Sequence, residues 1–430
     1  MDRCIADKYL EILKKELIPA LGCTEPIAVA LAAAKAREVL GCEPETICIY
    51  CSGNIIKNVK GVVVPNSGGK KGVETAAAIG ALGGDPNRGL EVLSTVGDAH
   101  REKAAEMIAA GKVKTVLSQG VDNLYISAAL TGEGHQVTVD IVGKHTRISK
   151  IVKDGVTLLE LDDEVTEKKD NGQGDIKAEM TVEKILDFAE TVDIERLAPI
   201  VGMQAEYNTQ ISNAGLTRSF GAEVGKTLIS EYGDGIKTRA RAKAAAGSDA
   251  RMGGCELPVV INSGSGNQGM TVSLPVIEYA EYLGSGEEKM YRALAISNLV
   301  SIHIKSNIGD LSAFCGAVSA ACGAGAGITY LHGGGLEEIS GTINNTLANV
   351  SGIVCDGAKP ACAAKIASAV DAAIMAHDMS MKGRGFKPGE GIVGNTVEET
   401  LKSVGYMGRV GMKETDIEIL KLMTGAVELD

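Results

Sequence analysis

Tryptophan is absent from this sequence, and phenylalanine occurs only four times in 430 residues. A core built on aromatic anchors is thereby excluded, and so is a base-stacking surface for single-stranded nucleic acid. Positive charge is also in deficit: 43 Lys and Arg face 55 Asp and Glu, for a net charge of −12. That balance argues against nucleic acid and acidic membranes as partners. The opening residues, Met1-Asp-Arg-Cys-Ile-Ala-Asp, contain no apolar run of the kind a signal peptide needs. The one long uncharged stretch, 311–335, is rich in Gly, Ala and Ser, contains His332 and lacks flanking basic clusters. It reads as a buried helix of a soluble protein, not a membrane span. No G-x-x-x-x-G-K-[ST] phosphate loop is present.

What the chain does have is glycine, 54 residues of it, and 45% hydrophobic residues against 23% charged. This is a globular composition with material for two or three domains and a closely packed helical core. Apolar periodicity predicts helices over 2–17 and 28–40, with Thr24 as the N-cap of the second and Glu25 and Pro26 in its first turn. From Thr46 the period changes to that of strands, at 47–51, 115–117, 124–130, 136–142, 146–152 and 156–161, with helices at 73–82 and 98–110. A charged, glycine-containing segment, 162–177, reads as a surface connector. Beyond it the pattern is almost wholly helical. The expected fold is therefore α+β: N-terminal helices (1–40) packing on the catalytic half, an α/β domain (41–165) inserted near the N-terminus, and an all-α domain (166–430).

Ten cysteines in a large chain expected to be cytosolic read as ligands, catalysts or core residues rather than a disulfide framework. Cys355-Asp-Gly-Ala-Lys-Pro-Ala-Cys362 spaces two thiols by seven residues. On an unbroken helix that is ~10.5 Å of rise, but Pro360 disfavours a continuous helix and Gly357 permits a tight fold. Cys355 can then sit on a loop over the first turn of a helix carrying Cys362, a position whose free N–H groups suit an anionic metal–sulfur group. On spacing alone, two inert buried thiols are the favoured reading. Cys315 and Cys322 share one helix face two turns apart, so one of them, not both, can join the pair. Cys48 and Cys51 form C-x-x-C on a strand, where residues three apart face opposite sides, which argues against a shared ligand site. Cys23 lies just outside a helix N-terminus, where the dipole lowers a thiol's pKa, and a small buried residue at a tight turn is an equal reading of it.

Two glycine-rich turns precede helices: Pro65-Asn-Ser-Gly-Gly-Lys-Lys-Gly72, with Ser67 and Gly68, and Asn262-Ser-Gly-Ser-Gly-Asn-Gln-Gly269, with Ser263, Gly264, Asn267 and Gln268. Each could offer a nest of N–H groups to a carboxylate or phosphate, or serve as an ordinary helix entry. Asn54, Lys57 and Asn58, in a presumed loop after the first strand of the α/β domain, are candidate substrate donors. His303 and His332 are candidates for outer-sphere donors or for core histidines. The run Gly323-Ala-Gly-Ala-Gly327 has no preceding strand, so close helix packing explains it better than a dinucleotide fingerprint.

The motifs Gly22-Cys-Thr-Glu-Pro-Ile27, Ser263-Gly-Ser-Gly-Asn-Gln-Gly269, Leu311-Ser-Ala-Phe-Cys-Gly316 and Cys355-Asp-Gly-Ala-Lys-Pro-Ala-Cys362 resemble the L-cysteine desulfidase family. Its members include uncharacterised bacterial relatives of the iron–sulfur L-serine dehydratase alpha chain. The resemblance spans essentially the whole chain and implies a helical catalytic domain of the serine dehydratase alpha type. It also implies an oxygen-sensitive [4Fe–4S] enzyme that makes pyruvate, sulfide and ammonia from L-cysteine without pyridoxal phosphate. By motif, Cys315, Cys355 and Cys362 would be the cluster ligands, leaving one iron open, and Cys23 the proton acceptor, with a fourth-ligand role as its alternative. The tail Val427-Glu-Leu-Asp430 lacks the cysteine that can cap the open iron in serine dehydratases. L-Serine in place of L-cysteine, and a non-catalytic iron–sulfur or zinc protein, are the competing readings. A cytoplasmic homo-oligomer, taken as a dimer, acting on a small amino acid is the expected setting, with neither nucleic acid nor membrane as a partner.

Overall fold

The computed structural model describes residues 3–161, 176–309 and 312–425. Residues 162–175 of the expected connector, Leu311 and the 427–430 tail lie outside the described residues. Sixteen α-helices and eight strands are described. In chain order they are α1 (Arg3–Glu16), β1 (Pro19–Leu21), α2 (Thr24–Leu40), β2 (Thr46–Cys51), α3 (Gly53–Lys60), α4 (Val73–Gly83) and α5 (Asp98–Ala109). Strands β3 (Val113–Leu117), β4 (Tyr125–Gly132), β5 (His135–Val142), β6 (Ile148–Lys153) and β7 (Val156–Glu160) follow. Then come α6 (Val182–Thr191), α7 (Ile194–Thr217), α8 (Val224–Tyr232), α9 (Ile236–Met252), β8 (Pro258–Val260), α10 (Gly266–Leu283), α11 (Gly286–Ile308) and α12 (Gly316–Leu331). The last four are α13 (Leu336–Val350), α14 (Cys362–Ser380), α15 (Val397–Tyr406) and α16 (Lys413–Thr424). The fold is α+β and mainly helical.

Six strands form a mixed sheet in the order β3-β2-β4-β5-β6-β7, with β2 and β3 parallel and the other pairs antiparallel. Along β4 and β5, the residues Ile126, Ala128, Leu130, Val137, Val139 and Ile141 are fully buried on one face. Helix α2 covers that face together with α4. This differs from the expectation that residues 1–40 pack as one unit on the helical half. Only α1 does so, against α7 and α11. The cause is composition: α2 is buried almost all round, so its Ala-, Val- and Ile-rich surface is what the sheet needs to exclude water.

The helical half is organised around α12, which touches α10, α11, α13 and α14. Its small residues permit this. A Cβ on Gly323 would lie 2.2 Å from the carbonyl oxygen of Ser297 on α11, so the two backbones meet where no side chain fits. Among the described residues no helix is long and apolar enough to cross a membrane.

One short ribbon joins the two halves. Strand β1 pairs antiparallel with β8, Pro19 opposite Val260, although 241 positions separate them in the chain. The ribbon delivers the turn at Gly22–Cys23 and the 262–269 loop side by side.

Candidate functional site

Cys23 is the N-cap of α2, one residue earlier than expected, with extended backbone (φ −80°, ψ 135°). Thr24 is therefore inside the helix, and its hydroxyl is directed elsewhere: it donates to the carbonyl of Gly264 at 2.9 Å. That bond ties the Cys23 turn to the glycine-rich loop before α10. The loop is itself held from below by buried amides, in which Asn262 donates to Asn298 and Asn298 exchanges bonds with Gln204.

The Cys23 thiol is 1% exposed and packs with Val62 and Met252. Ala358, the midpoint of the Cys355–Cys362 segment, packs against the same cluster. The thiol donates to Glu25 Oε2 at 3.0 Å, and the Thr24 hydroxyl oxygen, its one proton directed mainly to Gly264, lies 3.1 Å from the same oxygen. On the other side, Glu25 Oε1 lies 4.0 Å from His145 Nε2. His145 also faces Gly264, where a Cβ would sit 3.4 Å from its ring.

Helix-end chemistry predicts a thiolate at Cys23, and the structure reverses that. Burial pushes the thiol well above its ordinary value, and the neighbouring Glu25 charge pushes it further, outweighing Arg251. Burial also acts to raise Glu25, but His145, the hydrogen bond from Cys23 and Arg251 together hold its carboxyl below the usual range. At neutral pH the resting pair is a neutral thiol donating to a carboxylate.

Three further cysteines, Cys315, Cys355 and Cys362, lie near enough to act on one another electrostatically. Phe314 and Val354 form an antiparallel bridge, with Cys315 N–H donating to Ile353 at 3.1 Å and Cys355 N–H to Ala313 at 2.6 Å. Cys315 is the N-cap of α12 rather than a member of its first turn, and Cys362 is the first residue of α14. Gly357, at φ +92°, makes the intervening turn; a Cβ there would lie 2.3 Å from the carbonyl of Lys57. Burial pushes Cys315 up to about 12, with Cys355 and then Cys362 adding to the rise. Burial likewise raises Cys362, with a contribution from Cys355. The three thiols thus sense one another, and the ammonium of Lys365 acts on Cys315 and Cys362. Lys359 and Lys365 both pair with Asp356 beside them. Cys322 is different: it is fully buried on α12 and interacts with Thr346. Cys48 is half-buried and Cys51 fully buried, on opposite faces of β2.

Among the described residues, no three His, Cys, Asp or Glu side chains form a site for a single metal ion. The donor set fits a larger group instead. Three thiols free of disulfides, two of them at helix N-termini and flanked by lysines, are suited to an anionic iron–sulfur cluster that takes each thiolate on a different iron.

The other expected substrate residues divide sharply. Ser263 and Gly264 lie on the loop beside Cys23, both at positive φ. Gln268 reaches the cysteine side, since a Cβ on Gly316 would lie 2.7 Å from its amide carbon. Asn267 Oδ1 and Gln268 Oε1 are buried without a hydrogen-bond partner among the described residues. By contrast, the segment after β2 is the helix α3, not a loop, capped by Ser52. It turns Lys57 inward, 2% exposed, to an ion pair with Asp416 of α16. Asn54 bonds to Asn123 at 3.4 Å, and Asn58 is buried on the same helix. None of these three is presented to Cys23 by a hydrogen bond. Ser67 is likewise spent on its own turn, donating to the carbonyl of Lys70 and accepting from its N–H, while Gly68 faces Arg101. That turn props the site from behind: Pro65 fills the space a Cβ on Gly22 would need. His303 is engaged by Glu398 at 2.7 Å, and His332 packs against His377 with the two rings tilted by 42°.

Sequence reasoning missed Glu25 as the partner of the thiol, His145 and Arg251. Glu25 was visible only as a helix-start residue. Arg251 sits in a run of basic and small residues on α9 with no local signal. It is 2% exposed, and its Nε donates to the carbonyl of Gly22 at 2.9 Å.

Comparison with known proteins places residues 87–421 in the family described as Serine dehydratase alpha chain. A UPF0597 protein of Lachnoclostridium phytofermentans is 56% identical over 97% of this chain and 99% of its own length. A UPF0597 protein of Desulfitobacterium hafniense is 50% identical over 96% of each chain. One from Treponema denticola is 44% identical over 98% of this chain and 99% of its own.

Proposed function

The chain belongs to the serine dehydratase alpha chain family, which supports an iron–sulfur amino-acid lyase, and from that premise we propose that it is an L-cysteine desulfidase. The reaction takes L-cysteine and water to pyruvate, hydrogen sulfide and ammonia. The observation that carries this reading is the hydrogen-bonded Cys23–Glu25 pair, facing the segment that holds Cys355 and Cys362. Cys315, Cys355 and Cys362 would hold a [4Fe–4S] cluster. With three cysteines on four irons, it would supply one Lewis-acidic iron to polarise the substrate.

The protein's own groups manage the protons. Glu25 accepts the Cys23 proton, and the resulting thiolate, steadied by Arg251 and the N-terminus of α2, takes the α-proton of the substrate. The electron pair left at Cα forms the Cα–Cβ double bond as the Cβ–S bond breaks with its pair on sulfur. Glu25 returns its proton to the departing sulfide, and the pair regains its resting state. The released aminoacrylate tautomerises to an imine, which water hydrolyses to pyruvate and ammonia. Burial of Cys23 keeps bulk water from competing for the proton.

L-Serine, losing hydroxide in place of sulfide, is the second reading, favoured by the description of the matching family. All ten cysteines are free, which supports a reducing, cytoplasmic setting. The test is anaerobic reconstitution with iron and sulfide, followed by pyruvate assays on both amino acids. Faster turnover of L-cysteine is expected, and Cys23→Ala should retain iron while losing activity. Iron-loaded protein that yields pyruvate from neither amino acid would sink the reading.

A further inference from the structure

Arg251 is the most deeply buried arginine among the described residues, and although the Glu25 charge acts on it, no carboxylate there lies within ion-pair distance of it. Arg239 pairs with Glu278 and Arg241 with Asp371, whereas Arg251, among the described residues, makes one hydrogen bond, from Nε to the carbonyl of Gly22. The nearby Glu25 charge offsets part of the cost of burying this guanidinium, but with one hydrogen bond among the described residues its fork stays open to a further anion. We propose that Arg251 anchors the α-carboxylate of the substrate, and that the site accepts an unblocked α-amino acid.

The surroundings define the ligand class. The guanidinium lies between the Cys23 turn and the start of α10: Gly266, the first residue of that helix, is where a Cβ would come 2.5 Å from Arg251 Nε and 2.9 Å from its Cζ. Helix α10 is 18 residues long, and its N-terminal end adds positive potential at the same point. A planar guanidinium whose terminal nitrogens make no hydrogen bond among the described residues suits a carboxylate held by two parallel hydrogen bonds. Asn267 Oδ1 and Gln268 Oε1, buried and unpartnered on the same turn, are acceptors for the α-ammonium. Glu25, ionised close by, repels a dianion such as phosphate while tolerating a zwitterion. Because Arg251 acts on Cys23 directly, a carboxylate held there brings the attached Cα–H to the thiol. The site thereby reads both charges of a free amino acid and positions its α-proton. The chemistry that follows rests on the lyase reading; the binding does not.

L-Alanine is the probe, since it has no β-leaving group, and L-alaninamide is its neutral-carbonyl control. Both are titrated calorimetrically into the anaerobically reconstituted full-length protein, with iron content and far-UV circular dichroism recorded alongside. Alanine should bind, and alaninamide should bind more weakly by about tenfold or more, as loss of a charge-assisted bond predicts. Arg251→Gln should weaken alanine by about the same factor with iron content unchanged, and Arg251→Lys should restore part of it. In the active enzyme, Arg251→Gln should raise KM for L-cysteine. The proposal is overturned if wild type fails to bind alanine, if alaninamide binds as tightly as alanine, or if a folded Arg251→Gln binds alanine within about twofold of wild type. Should that variant misfold, the alaninamide comparison on wild type decides. Wild type that discriminates alanine from alaninamide but forms no pyruvate refutes the lyase reading alone; pyruvate formation with KM unchanged in Arg251→Gln refutes the anchor alone.

Discussion

The hydroxyl of Thr24 donates to the carbonyl of Gly264 at 2.9 Å, across 240 residues of chain. It is a side-chain bond that ties the Cys23 turn to the glycine-rich loop proposed to receive the substrate. Thr24→Val keeps the shape and removes the donor, leaving a buried carbonyl with one partner fewer. We expect a loss of about 1 kcal/mol in unfolding free energy, with a larger proportional loss in kcat/KM as the loop drifts from Cys23. Chemical denaturation and steady-state kinetics on the same preparation measure the two effects; equal kcat/KM in the variant would remove the loop from the site.

Glu25→Gln is expected to remove the acceptor for the thiol proton while leaving Cys23 in place. General-base contributions of this type amount to about 10²–10⁴ in rate, so kcat should fall at least about a hundredfold with KM and iron content preserved. A rate within a few-fold of wild type would show that the thiol loses its proton elsewhere.

Cys315 and Cys322 lie seven apart but have opposite fates. Cys315→Ala should abolish iron binding, whereas Cys322→Ala should retain iron and activity and lose about 1 kcal/mol of stability through a small cavity. Iron per chain after reconstitution distinguishes them. Iron lost from Cys322→Ala but retained by Cys315→Ala would exchange the assignments.

Gly357→Ala places a methyl 2.3 Å from the Lys57 carbonyl at a φ of +92°, where L-residues are strained. Both effects act on the turn between Cys355 and Cys362. A drop of about 2 kcal/mol or more is expected, together with reduced iron retention. Gly352→Ala, with open space around its Cβ position, is the matched control and should be near neutral.

His377 supplies a pH dependence remote from the site. Burial, and then the nearby His332, lower it from 6.5 to about 4. Its folded pKa is depressed, so the unfolded chain binds a proton that the folded one refuses. Stability contributed by this residue is whole above pH 6.5 and is lost as pH falls from 6.5 towards 4. The loss amounts to about 1 kcal/mol by pH 5.5 and about 3 kcal/mol by pH 4. Denaturation midpoints across that range should fall more steeply in wild type than in His377→Asn.

Much of the architecture was legible because it is local. The strands of the sheet emerge within about two residues of their predicted bounds, since alternation along a half-covered sheet is a nearest-neighbour property. The helical entry of Cys362 and the turn at Gly357 follow from one proline and one glycine. The segment after β2 was misread as a loop because Ser52-Gly-Asn looks like turn chemistry, yet Ser52 caps a helix whose apolar face is buried. Lys57 was misjudged for the same reason. A lysine near a site reads as a substrate donor until its partner, Asp416, arrives from 359 residues away.

The sequence alone determined the α+β class, the turn that brings Cys355 over Cys362, and the placement of Cys23 at a helix start. It also contained the motifs that tie the chain to its family. Those are consequences of backbone preference and of patterns within a few residues. Only the tertiary structure decided that Cys23 is a neutral thiol, that Glu25 is its acceptor, and that the buried Arg251 charge acts on both. Protonation and pairing depend on burial and on charges brought together through space, and the β1–β8 ribbon brings them together from opposite halves of the chain.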